Sequence, residues 1–223
     1  MLIKTYSYRF AEEILSSPDF IFVKQEILDI CELCPVPVYK GKSANQKNKD
    51  VVQQIMNTYF RIQFEEHGWL SEPLATPEDN EDALRADFRK KFICSNGKEI
   101  AAQIEVEFGN VASSYRNYFK FQLSFSYGLT DLCVLIVPSA NLANRIDSGV
   151  ANYEKAIREI PQAKLSVTVP TLVIGLFDRD ENGVKITEWD VKSLGTTLDV
   201  AQNKNKAVTH SHETLVHSYI DEH

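Results

Sequence analysis

The sequence predicts an α/β fold, with a mixed central β-sheet flanked by helices in a single domain. Three observations carry that expectation. An Asn96-Gly97 pair lies between two strand-like runs, residues 84–94 and 98–108, which is a strong hairpin signal. Two apolar runs, residues 131–137 and 171–177, are continuous rather than alternating, as in strands buried on both faces. Stretches with helical spacing separate these runs.

Taken in order, residues 10–16 read as a short helix. Asp19 is expected to cap a second helix reaching Cys34, with Ile21, Ile27, Ile30 and Leu33 at helical spacing. Pro35 and Pro37 stop it. Residues 36–48 are loop-like. They read either as a solvated linker or as a loop that follows a DNA backbone through Lys40, Lys42 and Lys47. Residues 50–66 make a long helix with Val52, Ile55, Met56, Tyr59, Phe60 and Gln63 on its buried stripe, ended by His67-Gly68.

After the hairpin, residues 110–127 read as a helix whose apolar stripe is Val111, Tyr115, Tyr118, Phe119 and Leu123. Its aromatic excess fits either a dimer interface or plain core. Residues 140–160 form a helix interrupted near Asp147-Ser148-Gly149, and residues 165–168 and 171–177 are strand segments. Asp178-x-Asp180-x-Asn182-Gly183 begins like a calcium loop, but its twelfth position is Trp189, so a solvated turn is expected. The tail from Thr196 is polar, and its His210-x-His212 pair reads as exposed.

The chain has 223 residues, of which 43% are hydrophobic and 25% charged, as in ordinary globular domains. Its longest apolar run, residues 132–138, is too short to span a bilayer. No signal-peptide pattern follows Met1, so a cytoplasmic location is expected. A formal charge of -7 argues against non-specific coating of nucleic acid. It leaves a DNA enzyme open, because metal-holding carboxylates add to the negative total. Cys31-x-x-Cys34 has metal-ligand spacing without a second matching pair, so Cys31, Cys34, Cys94 and Cys133 are expected to be reduced core residues.

The chemistry is concentrated at Ile104-Glu105-Val106-Glu107-Phe108-Gly109-Asn110. On a strand, Glu105 and Glu107 share one face while Ile104, Val106 and Phe108 share the other. Like charges at that spacing repel unless water, a cation or a proton separates them. The hairpin register decides what joins them. A two-residue turn on Asn96-Gly97 places Asp87 opposite Val106; a three-residue loop, Ser95-Asn96-Gly97 with Gly97 left-handed, places Asp87 opposite Glu105. The second register gathers the acids and is the one expected. Glu72, Asp87, Glu105 and Glu107 are hard oxygen donors that suit Mg2+ rather than zinc. The sequence contains no phosphate-cradling glycine loop, no dinucleotide fingerprint and no Ser or Cys with an evident His partner. Metal-assisted hydrolysis of a phosphodiester remains, against the plainer reading of a solvent-facing acidic strand.

The runs Asp87-Phe-Arg-Lys-Lys, Ile104 to Asn110, Asp131-Leu-Cys-Val-Leu-Ile-Val-Pro138 and Val150-Ala-Asn-Tyr-Glu154 closely resemble the BamHI and BglII group of type II restriction endonucleases, within the PD-(D/E)xK nuclease superfamily. Weaker similarity takes in residues 11–15 and 170–176. The resemblance implies a restriction-endonuclease-like core at about residues 84–177, with a polar segment 178–223 available for DNA contact. It implies Asp87 and Glu105 as Mg2+ ligands with Val106 between the two glutamates in the metal site, and Glu107, in place of the superfamily lysine, as the group acting on the attacking water. Glu72, three residues after Trp69, matches an additional metal-linked glutamate of the BamHI type.

The resemblance further implies base contacts from Asn110 and Ser113 at the start of the helix. Asp147 and Ser148 fall by an outer-base-reading pair whose arginine is absent unless Arg145 substitutes. It implies double-stranded DNA as substrate, a short palindrome with a GATC core, a two-fold homodimer and a cognate methyltransferase. A repair or structure-selective nuclease, a non-catalytic DNA-binding dimer and a non-enzymatic dimerisation protein are the competing readings.

Overall fold

The computed structural model describes residues 1–78, 83–163, 166–197 and 206–223. Six strands form one mixed sheet: β1 (Leu2–Tyr8), β3 (Leu70–Ser71), β4 (Phe88–Ile93), β5 (Glu99–Val106), β6 (Leu132–Pro138) and β7 (Thr171–Phe177). Their order across the sheet is β1-β7-β6-β5-β4-β3. The central strands β5, β6 and β7 run parallel, and β1, β4 and β3 pair antiparallel at the edges. β2 (Pro37–Val38) and β8 (Trp189–Asp190) form a small parallel pair apart. The edge strand β1 carries no alternation as clean as the hairpin's, and sequence reasoning missed it.

The helices are α1 (Ala11–Leu15), α2 (Ile21–Leu33), α3 (Gln53–Glu66), α4 (Val111–Ser126), α5 (Ala140–Ile146), α6 (Tyr153–Glu159) and α7 (Lys206–Glu222). They cover both faces of the sheet. β6 is buried along its whole length. Its Val134 and Ile136 join a core with Ile27, Tyr59, Phe60, Phe64, Ile104 and Phe108, contributed largely by α2, α3 and β5. Its Cys133, Leu135 and Val137 join a second core with Tyr118, Phe121, Tyr153 and Val173. The continuous apolar run therefore reflects burial on both faces, as its sequence implied. Close packing of α6 on β7 depends on Gly175, where a Cβ would come within 2.6 Å of the Tyr153 ring. All four cysteines are buried and unbridged. No described helix is long and apolar enough to cross a membrane.

Four expectations need correction. Asp19 does not cap α2; its Oδ1 accepts from the Ser95 backbone N–H instead, at 3.0 Å, tying the hairpin loop down. Lys42 does not point toward a DNA backbone: its Nζ donates to the carbonyls of Val51 and Ile146 and closes the end of α5. Residues 166–168 are not a strand, and Lys164 and Leu165 lie outside the described residues. The polar tail is not simply exposed. α7 lies on α3, with Val216 and His212 buried, an Arg61–Glu213 ion pair at 2.5 Å and the Tyr59 and Tyr219 rings 6.5 Å apart.

The hairpin has the expected register. Phe88 pairs with Ile104 and Ile93 with Glu99, closed by a Ser95-Asn96-Gly97 loop. Gly97 is left-handed at φ +79°, its N–H donates to Cys94 O, and Cys94 N–H donates to Lys98 O. Extending that ladder past Phe88 sets Asp87 across from Glu105.

Candidate active site

Directly opposed residues of an antiparallel pair share a face, so Asp87 and Glu105 project together, toward α4. Asp87 Oδ2 accepts from the Val106 N–H at 2.7 Å, which replaces the ladder bond where β4 frays. Glu105 is not on a half-exposed strand: it is fully buried. Its Oε1 accepts from the Gln103 amide at 3.1 Å, and its Oε2 is ion-paired to Lys120 Nζ on α4. Glu107 leaves the strand just beyond its end. Its Oε1 accepts from the Gly109 N–H at 2.6 Å and its Oε2 from the Asn117 amide at 2.9 Å.

The electrostatics follow from this crowding. Burial pushes the Glu105 carboxyl up to about 8, helped by the charge of Asp87 and opposed by Lys120. Asp87 is also raised, by burial first, with Lys120 and the Val106 N–H opposing. Glu107 is raised by burial and by Asp87, while Gly109 and Asn117 pull it down. Three neighbouring acids thus all hold protons more tightly than in water. Burial away from water is the first cause for each, with repulsion among the carboxylates adding to it.

Asp87, Val106, Glu107, Asn117 and Lys120 line a cavity of about 470 Å³ that Arg85 and Arg116 also border. Glu72 stands apart from Glu107. It lines an adjoining cavity of about 250 Å³ with Asn57, Arg61 and Ser71, and the two cavities share Asp87 and Val106. Glu72 has a left-handed backbone at φ +51°, costly for a residue other than glycine, and its N–H donates to Asp87 O. Such local strain fits a site where geometry is held by its surroundings.

The donor chemistry fits Mg2+, whose shell takes one or two carboxylates and completes itself with water and phosphate oxygens. Among the described residues no group of three or more His, Cys, Asp or Glu side chains is placed to hold a metal ion. The hairpin register brings Asp87 and Glu105 together, with the Val106 N–H on Asp87; it does not gather all four expected carboxylates into one ready-made ion site.

The expected base-reading residues divide. Asn110 caps α4, its side chain accepting from Ala112 N–H at 2.7 Å. An isolated bridge to Val150, with Val111 N–H bonded to Gly149 O, brings Asn110 beside exposed Asp147 and Ser148. Ser113 lies in the first turn of α4; its side chain is outside the described residues. Arg145 is not available to substitute for the missing arginine. It is buried, and its guanidinium holds Asp50 through two nitrogens, Asp178 at 2.8 Å and Glu188 at 2.9 Å.

Sequence reasoning also misassigned α4. Its apolar spacing picked Tyr115 and Phe119, which are 52% and 59% exposed. The inward face instead carries Ser114, Asn117, Lys120 and Ser124, all buried, alongside Tyr118 and Phe121. The signal was a polar stripe at helical spacing, which an apolar period cannot detect. It faces the acids, and Lys120 and Asn117 are the site residues it conceals.

A model of the restriction endonuclease family BglII/BglIII matches residues 3–176. The chain belongs to that family. It is a restriction endonuclease by family, a nuclease whose substrate is DNA. Two solved BglII structures share the fold: the enzyme complexed with a DNA 16-mer, with a TM-score of 0.63, and free BglII, with 0.53. Each is 19% identical and covers 81% of this chain, spanning 78% and 82% of the respective BglII chains. No curated protein sequence matches the chain significantly. Within the BglII/BglIII family frame, the hairpin acids and the loop at Asp147 occupy one end of the parallel strands, where open α/β sheets place their ligands.

Proposed function

We propose that this member of the BglII/BglIII family is a Mg2+-dependent type II deoxyribonuclease acting at a short palindrome. The observation that carries the reading is the meeting of Asp87 and Glu105 across the hairpin, beside Glu107 and a cavity bordered by Arg85 and Arg116. Asp87, Glu105 and the Val106 carbonyl hold the ion, and Glu72 adds its charge from the adjoining cavity. Bound there, Mg2+ supplies a Lewis acid for the phosphoryl group and an acidified water.

The chain's own residues do the rest. Arg85 and Arg116 hold the backbone phosphates of the duplex, the sequence-independent part of binding. Glu107, oriented by Gly109 and Asn117, accepts a hydrogen bond from the attacking water and takes its proton. Asn110, Asp147 and Ser148 read the bases, together with Ser113 of the first turn of α4 by its place in the sequence. Exposed Tyr115 and Phe119 on α4 form part of a two-fold interface, so that the homodimer's symmetry matches a palindrome with a GATC core. A cognate methyltransferase protects the same site in the host.

Digestion of a fully sequenced DNA with Mg2+, followed by sequencing of the ends, tests the reading. Discrete ends at one palindrome are expected. A smear or branched-DNA products would instead indicate a repair or structure-selective nuclease. Tight duplex binding without cleavage would indicate a non-catalytic DNA-binding dimer.

A further inference from the structure

Glu105 is the most enclosed of the site acids. It is fully buried and lines neither cavity, whereas Asp87 lines both and Glu107 lines the larger. Lys120 connects Glu105 with the larger cavity. The lysine reaches in from α4, lines the cavity itself and places its ammonium on Glu105 Oε2. The other oxygen, Oε1, is taken by Gln103. Both oxygens of this carboxylate thus have partners, Lys120 on Oε2 and Gln103 on Oε1.

We propose that Lys120 is a positioning residue that occupies the cation place on Glu105 and must swing aside into the cavity before a divalent ion can bind. The inference rests on the reading of Asp87 and Glu105 as metal ligands. An ammonium and a divalent cation contend for the same oxygen, so the lysine weakens ion binding to the DNA-free protein. The displaced ammonium has an evident destination. The cavity it lines is the one bordered by Arg85 and Arg116, where a phosphodiester brings negative charge. Phosphate entering that cavity draws Lys120 off Glu105, and duplex and ion then favour each other's binding by an equal factor, as linkage requires.

Titration calorimetry of the full chain with MgCl2 alone, at one fixed pH, tests this. Lys120→Gln should bind Mg2+ at least about tenfold more tightly than wild type, equivalent to about 1.4 kcal/mol. Lys120→Arg, which keeps a cation on the carboxylate, should stay close to wild type. A merely structural lysine gives the opposite result, because a loosened site binds the ion less well. Equal or weaker binding by Lys120→Gln overturns the proposal. Lys120→Ser, which leaves room for water beside Glu105, takes its place if Lys120→Gln does not fold. Adding Glu105→Gln to the Lys120→Gln background separates the two readings. Loss of the tight binding supports both; undiminished binding shows the ion sits elsewhere, which sinks the metal assignment rather than the lysine's contact. Absence of Mg2+ binding in every variant overturns both.

Discussion

Two clusters in this protein gather three carboxylates beside a central cation, and they differ in how that cation serves them. At one end Arg145 holds Asp50, Asp178 and Glu188, and Lys185 and Arg179 add further charge at Glu188 and Asp178. At the other, Lys120 holds Glu105 beside Asp87 and Glu107. A guanidinium presents five donors in a planar fork, so Arg145 serves all three of its acids directly. The Glu188 carboxyl is pulled below its usual range by Lys185 and Arg145, despite some burial. An ammonium is a compact point charge, and Lys120 bonds only Glu105 among its acids. All three acids of that cluster are raised. In the first cluster every carboxylate has a direct contact to the guanidinium, although Asp178 Oδ1 is left without a hydrogen-bond partner. In the second only Glu105 has a direct contact to the ammonium, all three acids are raised chiefly by burial, and Asp87 and Glu107 line a cavity. The former arrangement is a structural contact; the latter is the one proposed above to take a cation.

The largest expected effect breaks the active cluster. Glu105→Ala should abolish DNA cleavage while leaving duplex binding in place, measured by digestion and gel shift on the same preparation. Cleavage at the wild-type rate would remove Glu105 from the site and with it the contrast between the clusters.

Breaking the other cluster should have a structural effect of comparable severity. Arg145→Met strands Asp178, which is 1% exposed, without its main partner. Removing one side of such a buried pair costs about 3–5 kcal/mol. Urea unfolding should show that loss, with Mg2+ affinity of the still-folded fraction unchanged. A shift of Mg2+ affinity alone, with stability untouched, would mean Arg145 belongs to the site after all.

These two clusters also mark how far the sequence could be read. Asp87, Glu105 and Glu107 were legible because strand alternation and a loop's length are local quantities, and together they fix which side chains share a face. The double-sided burial of β6 was legible from its unbroken apolar run. The Arg145 network was not, since it joins residues 95 and 33 positions distant, Asp50 and Asp178, with no local signature. Lys120 and Asn117 were hidden for another reason. Their stripe on α4 is polar yet buried, because it packs against carboxylates rather than against an apolar core. Tyr115 and Phe119 satisfied the apolar rule and lie outside.

A pH series sharpens the comparison further. Burial raises the Glu105 carboxyl toward about 8, so ionising it to pair with Lys120 costs the fold free energy that protonation would spare. Stability from that preference is complete below the unfolded value and is lost as pH rises toward and through 8. Metal-free protein should therefore lose stability as pH rises from about 5 toward 8. Added Mg2+ should restore the loss by binding the folded state. Glu105→Gln should flatten the curve. A wild-type profile that rises with pH over that window would contradict the burial cost assigned to Glu105.

The smallest effect tests the device that assembles the active cluster and leaves the other untouched. Gly97 holds φ +79° in the loop that sets Asp87 across from Glu105. A Cβ there meets no atom within 4 Å, so the penalty on Gly97→Ala is conformational and not steric crowding. The left-handed backbone should cost roughly 1–2 kcal/mol. If the three-residue loop survives, thermal stability drops by that amount and Mg2+ affinity is unchanged. If the loop tightens to two residues, Asp87 moves opposite Val106 and Mg2+ affinity falls far more than stability does. The ratio of the two losses, measured on one variant, reports whether loop length is what brings the acids together.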